Sequence, residues 1–352
     1  MARNKLIITL DYELFGDGSG SVLREQINPT YHLMNIADLY GVKLTIFFEY
    51  GQYKAYSSTG IDKHNSANKM IREQLLELVK RGHDVQLHYH GQWNGSIYDK
   101  NNDAFILNLN NVDSSNLGFN VLYSEIREGQ LFLEELLTKV NPNYKCCCFR
   151  SGSWAANNDS NLLKVLNALN FVIDSSVLPN VKFCSNLVNF DYSDSPNNSG
   201  YWRVKDKLNR RSEDGNIFEV PTYVVKNRFS FLLYINSKNR ISRQIFSNFY
   251  SSKISERGFS VFQKIKKVLG RDYYIADVNT MSHKTLYNMI SSAVSSNLSS
   301  SDGNIINPIV LVGHPKVSYG IDDLHLLFHR INDSTMEVEY STLLDVADEL
   351  RG

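Results

Sequence analysis

Four short stretches of the chain carry side chains whose types and spacing could do chemistry. In Thr9-Leu10-Asp11-Tyr12-Glu13, two carboxylates stand two residues apart at the end of an apolar run over residues 6–10. Extended backbone repeats every two residues, so Asp11 and Glu13 project to one side while Leu10 and Tyr12 project to the other. Two carboxylates this close repel unless a cation or a retained proton lies between them, which points to a metal or a raised pKa. A strand end turning into the polar loop of Gly16, Gly18 and Gly20 accounts for the pair as well. In the run from Asp84 to Trp93, Val85, Leu87 and Tyr89 alternate with Gln86, His88 and His90. Both imidazoles therefore share a face, where they can converge on one ion or bond to carbonyls as core histidines.

The third stretch is Phe149-Arg150-Ser151-Gly152-Ser153-Trp154, an arginine at a strand end followed by small residues. A guanidinium there can hold a carboxylate and keep it ionised, or it can cap the strand at the surface. The fourth is Ile309-Val310-Leu311-Val312-Gly313-His314-Pro315. A histidine just beyond a fully apolar strand stands where α/β folds place working residues, although a loop histidine reads the same way. Cys146, Cys147 and Cys148 are adjacent and lack zinc-site spacing, which suits a buried strand of reduced thiols.

The elements that must position these groups alternate. Strands are expected over 6–10, 42–48, 85–90, 146–149 and 171–173, with helices over 29–40, 67–80, 125–140 and 158–169 between them. Repeated strand-then-helix with buried-type strands predicts parallel pairing through right-handed crossovers, as a barrel or as an open doubly wound sheet. A polar loop follows over 191–200 and a strand over 217–225. Residues 229–269 are basic, aromatic and rich in Ser and Asn, which fits helices better than strands. The alternation resumes with a helix over 284–294, a buried strand over 308–312 and a closing helix over 341–350.

The chain has 352 residues, 42% of them hydrophobic, enough for one oversized barrel or two domains. Thirty-seven basic residues balance 37 acidic ones, which argues against broad adhesion to nucleic acid or anionic membrane. No apolar run is long enough to span a bilayer. The first apolar run is cut off by Asp11 and is too short for a secretory segment, so a cytoplasmic address is expected.

The order of the four stretches resembles that of the polysaccharide deacetylases, the NodB-homology fold of carbohydrate esterase family 4. Thr9-Leu10-Asp11-Tyr12-Glu13 is similar to the Asp-x-Asp/Glu form of the family's first motif. Gly82-His83-Asp84-Val85-Gln86-Leu87-His88 is similar to Gly-His-Glu-Val-Gly-x-His, but the position four after His88 is Gln92 where the family has histidine. Of Arg-x-Pro-x-Gly only Arg150 and its small neighbours remain, and Val310-Leu311-Val312-Gly313-His314 resembles the last motif. The likeness covers about 1–190 and 305–320, with Glu219-Val220-Pro221-Thr222 a weaker match between.

The resemblance implies an α/β fold, an irregular seven-stranded (β/α) barrel spanning 1–352 as one domain, with a helical insertion over 226–270. It implies a divalent metal ion, zinc before cobalt, nickel or manganese, held by Glu13, His88 and a third ligand. His90 is the favoured third ligand, because imidazole binds such metals better than the amide oxygen of Gln92. Asp11 would be the general base, Arg150 its partner and His314 the general acid. Trp93 and Trp154 would offer flat surfaces to a sugar, and Asp174 belongs to a segment, 171–176, similar to the Asp-Ser-Ser strand of relatives. The implied partner is an N-acetylated sugar or saccharide precursor, deacetylated during surface polysaccharide biosynthesis. Two other readings remain: another C–N hydrolase on this fold, such as a deformylase or small-amide hydrolase, and a non-catalytic carbohydrate-binding relative.

Overall fold

Parallel strands carry the architecture. The computed structural model describes residues 2–156, 160–196, 199–227, 272–298, 305–318 and 321–351. Seven of its strands are β1 (Arg3–Tyr12), β2 (Leu44–Glu49), β3 (Asp84–Tyr89), β4 (Cys148–Ser151), β5 (Ile173–Asp174), β6 (Ile217–Glu219) and β7 (Ile306–Gly313). They lie side by side in the order β6-β5-β4-β3-β2-β1-β7. Each neighbouring pair is parallel, and β1 runs beside β7 from Arg3↔Ile306 to Leu10↔Gly313, so strands from distant parts of the chain share one sheet. Past β6, a parallel bridge joins Thr222 to Val310 and Tyr223 N donates to Val310 O at 2.8 Å. A second parallel bridge joins Asp277 to Val312, so the strand path returns to β7 through isolated bridges rather than a full ladder, which makes an irregular barrel. Trp202–Val204, antiparallel to β6, and Glu339–Tyr340, beside the lower half of β1, complete a nine-stranded sheet.

Alternation along the strands sorts the core into two parts. Leu6, Ile8, Leu10 and Tyr12 face outward with Leu44, Ile46, Phe48, Val85 and Leu87. There they pack beneath α1 (Asn28–Leu39), α2 (Tyr50–Ser58), α3 (Asp62–Lys80), α4 (Phe119–Leu137) and α5 (Ser160–Ala168). The opposite faces form a smaller cluster of Ile7, Phe47, Cys148, Ile173 and Val310 inside the barrel. Strands with both faces buried need near-continuous apolar sequence, which is why the four-residue-plus apolar runs were readable as such. After α6 (His283–Leu298) and α7 (Ile321–Asn332), helix α8 (Leu343–Arg351) closes the lower end, placing Leu343, Val346 and Ala347 in the interior cluster.

Most expected elements are present with ends moved by a few residues; the fourth strand, for example, begins at Cys148 and ends at Ser151. The strand expected over 217–225 is instead two, Ile217–Glu219 and Val224–Asn227, because Pro221 has no N–H for the ladder and interrupts it. Val224–Asn227 pairs antiparallel with Asp272–Ile275. The helical insertion expected over 226–270 lies outside the described residues apart from Lys226 and Asn227. The cysteine triplet is buried and unbridged, as reduced thiols would be.

Candidate functional site

The last inward positions of β1, β2, β3 and β4 are all ionisable, and at this carboxyl end they meet. Register puts three in one row: Glu49 stands opposite His88, and His88 opposite Arg150. Asp11 and His90 share the same inward side by the period-two rule, and Glu13 follows just beyond the end of β1. His314 follows the last residue of β7, two positions beyond Val312. All of these side chains are buried.

Arg150 is the floor of the cluster. Its guanidinium lies 4.2 Å from the centroid of the Phe47 ring, at the top of the interior apolar layer. Nη1 donates to Asp11 Oδ1 at 2.7 Å and to Thr9 Oγ1 at 2.8 Å, while Nε and Nη2 donate to the carbonyl and hydroxyl of Ser175 at 3.0 Å each. Burial pushes the Asp11 carboxyl up, but Arg150, with His88 and His314, outweighs it and holds Asp11 below the usual range. Asp11 is therefore ionised and held in one orientation.

Glu13 divides its two oxygens. Oε2 faces the imidazoles, 3.1 Å from His90 Nδ1 and 3.6 Å from His88 Nε2. Oε1 takes the ammonium of Lys316 at 2.7 Å and lies 3.7 Å from His314 Nε2. Burial would raise Glu13, yet Lys316, His90 and His88 together hold it well below the ordinary carboxylate value. His88 Nδ1 donates to the carbonyl of Arg150 at 2.8 Å, so Nδ1 carries a proton and Nε2 is turned towards Glu13. Burial lowers His88 while Asp11 and Glu13 raise it, to about 9, so its Nε2 sits in a field that favours a cation.

Glu13, Glu49, His88 and His90 each offer one ligand atom, all within 4.8 Å of one another. Two imidazole nitrogens and two carboxylate oxygens are a donor set that suits a divalent transition metal, and the Arg150 carbonyl on His88 Nδ1 is an outer partner of the kind that fixes such a ligand. Glu49 Oε2 is 2.7 Å from His90 Nδ1, and Glu49 Oε1 accepts the backbone N–H of Gly51. Room for the His90 ring comes from Gly152, where a Cβ would lie 2.3 Å from the ring. That explains the small residue two places after Arg150.

His314 completes the group. Its Nε2 is 3.6 Å from Asp11 Oδ2, and its backbone N–H donates to Asn279 Oδ1 at 2.5 Å. Burial, joined by Lys316, keeps its pKa below the ordinary value against the pull of Asp11 and Glu13. The Trp154 ring meets His314 edge-on with centroids 6.3 Å apart. Trp154 and Ser153 both have positive φ, 52° and 55°, and Tyr192 OH ties the turn down by donating to Trp154 O at 2.7 Å.

Asp11, Glu13, His88, His90, Arg150, Trp154 and His314 are thus brought together. Trp93 and Asp174 lie at the edges of the cluster, Trp93 close to Glu49 beside Gly51 and Asp174 next to the Ser175 that holds Arg150. Trp93 is buried edge-on against Tyr56 and Phe105. Asp174 is fully buried behind Arg150, accepting from the hydroxyl of Ser176, and burial raises its pKa. Gln92 is buried with its amide directed at the Gly16 carbonyl, 3.5 Å away. Reasoning from sequence missed Glu49 and Lys316. Glu49 had a readable signal, since it ends an apolar run two residues after Phe47 just as Asp11 ends the first.

No protein-family model matches the chain, and no curated protein matches it. Among solved structures, it is similar to a candidate polysaccharide deacetylase from Mycobacterium smegmatis, at 14% identity and TM-score 0.45, covering 99% of this chain and 91% of the other. An allantoinase, PuuE, gives 11% identity and TM-score 0.45 over 99% and 90% of the two chains. A 4-alpha-glucanotransferase from Thermococcus litoralis gives 11% identity and TM-score 0.48 over 98% of this chain and 40% of that one. Likeness of this degree assigns no activity, and the chemistry is read from the site's own residues.

Proposed function

We propose that the protein is a metal-dependent hydrolase of C–N bonds that removes the acetyl group from an N-acetylated amino sugar or saccharide precursor, in the biosynthesis of a surface polysaccharide. One observation carries the reading: an ionised Asp11 held by Arg150, a Glu13–His88–His90 donor set with Glu49 beside it, and His314 all meet at the carboxyl end of one barrel. The motif order that resembles the polysaccharide deacetylases supports the same chemistry. Glu13, His88 and His90, with Glu49 as partner or fourth ligand, would hold the ion, zinc before cobalt, nickel or manganese. Once bound, a divalent ion supplies Lewis acidity to an amide carbonyl and makes water a better acid.

The residues of the chain do the rest. Asp11 takes the proton of the attacking water, its basic state secured by Arg150. The nucleophile adds to the acetyl carbonyl, and the C–N bond breaks as the nitrogen receives a proton from His314. Because burial lowers the His314 pKa, its imidazolium gives up that proton readily. Asp11 Oδ2 stands 3.6 Å from His314 Nε2, a gap that one bridging water would span to return the proton taken from the nucleophile. The products are acetate and an amine. Trp154, beside His314, offers an aromatic edge to the sugar ring.

The test is metal analysis of purified protein, followed by assay of acetate, formate and ammonia release from N-acetylated sugars, N-formyl compounds and small amides. Stoichiometric metal with acetate release is expected. Formate or ammonia release would move the chain to another C–N hydrolase class, and absence of bound metal at neutral pH would overturn the enzyme reading.

A further inference from the structure

Lys316 enters the cluster from the turn Pro315–Val317, directly after His314. Its side chain is 7% exposed, with Nζ donating to Glu13 Oε1 at 2.7 Å and to the carbonyl of Leu14 at 2.9 Å. The backbone acceptor matters, because it places the ammonium independently of the carboxylate it neutralises. Phe15 adds a ring 5.8 Å from Nζ. Lys316 is thus a built part of the site rather than a surface lysine that has folded inward.

Its contact divides Glu13 in two. Oε1 is occupied by the ammonium, whereas Oε2 alone faces His88 and His90. The usual outer partner of a metal ligand is an acceptor or an anion, which makes the ligand more basic and the ion better held. The Arg150 carbonyl on His88 Nδ1 follows that pattern. A cation on Glu13 acts in the opposite sense: it draws charge from the carboxylate and repels a dication nearby.

Resting on the reading of Glu13 as a metal ligand, we infer that Lys316 is a positioning residue that restricts Glu13 to one-oxygen ligation and lowers the affinity of the site for its ion. The consequence is an ion with less charge donated to it, a stronger Lewis acid held less tightly. Removing the ammonium frees Oε1 and lets the carboxylate close on the ion with both oxygens.

The experiment is titration of metal-stripped protein with Co²⁺, followed by visible absorption, with a competing chelator to extract Kd. Lys316→Met keeps the stem and removes the charge, and Lys316→Gln keeps a donor without the charge. Both are expected to bind Co²⁺ at least about tenfold more tightly, a lower bound from Coulomb's law at the dielectric of water. Their bands should weaken as coordination number rises. Lys316→Arg, which keeps the charge, is expected to stay near the parent Kd. An unchanged or weaker affinity in whichever neutral variants fold overturns the inference. Failure of the unaltered chain to take up Co²⁺ overturns the proposed function instead, so the two failures are distinct.

Discussion

The inward face of β3 carries Asp84 at its lower end and His88 at its upper end, with His90 just beyond, and the two ends treat buried charge differently. Below, Asp84 accepts from Gln86 Nε2 at 2.7 Å, from Thr45 Oγ1 at 3.1 Å and from the backbone N–H of Leu344 at 3.2 Å. The last of these lies in the first turn of α8, whose N-terminus welcomes an acceptor. Nearby, Lys5 is closed off between Glu339 and Glu349, at 2.7 Å from each. Every charge there has dedicated partners. At the upper end, nitrogens of two imidazoles and oxygens of two carboxylates converge on common space instead. Burial of a titratable group is therefore no guide to function by itself; convergence of several ligand-type atoms within one small space is the sharper sign.

Several variants would break or sharpen this contrast, beginning with the largest effect. Asp11→Asn is expected to cut turnover by roughly 10²–10⁴-fold while leaving metal content unchanged, since a base is lost and no ligand is. Steady-state kinetics beside metal analysis checks both halves, and loss of metal would make Asp11 a ligand. Arg150→Met leaves a buried carboxylate uncompensated and should destabilise the fold by about 3–5 kcal/mol, read from denaturant melts. His88→Ala should weaken metal binding by at least about 10–100-fold. Retention of full affinity in His90→Ala, with loss in Gln92→Ala, would transfer the third ligand to Gln92.

At the lower end the effect is on the pH dependence of stability. Burial raises Asp84 to about 7 from 3.8, against the opposing hydrogen bonds of Gln86 and Thr45. Between those values the folded chain keeps a proton that the unfolded chain has released, so the contribution of Asp84 to stability falls as pH rises from about 4 to about 7. Asp84→Asn removes that slope, at roughly 1.4 kcal/mol per pKa unit. Melts of parent and variant across the window should diverge with rising pH in favour of the variant, with metal content untouched. Adjacent His83, lowered by burial to about 4, acts in the other direction, its stability contribution being lost as pH falls through the same range. The comparison of Asp84→Asn with its parent therefore isolates one of two opposing slopes.

Local pattern made much of this legible. Period-two alternation around Asp11–Glu13 and His88–His90 identified which side chains share a face, and apolar runs ending in polar residues marked the carboxyl ends of strands. Pro221 could have been read as the break it makes in the strand expected over 217–225. Glu49 went unread for want of a motif, although its run has the form of the first. Lys316 left no local trace at all, because its meaning depends on Leu14 and Glu13, some three hundred residues away.

By itself, then, the sequence determined the strand–helix alternation and which residues project together within a strand, since both follow from short-range backbone geometry. Only the tertiary structure decided which strands became neighbours, and hence that Glu49, His88 and Arg150 stand in one row. It also decided that Lys316 takes one oxygen of Glu13 and leaves the other to the imidazoles. Pairing between distant strands depends on how the whole barrel closes, and no window of sequence contains that information.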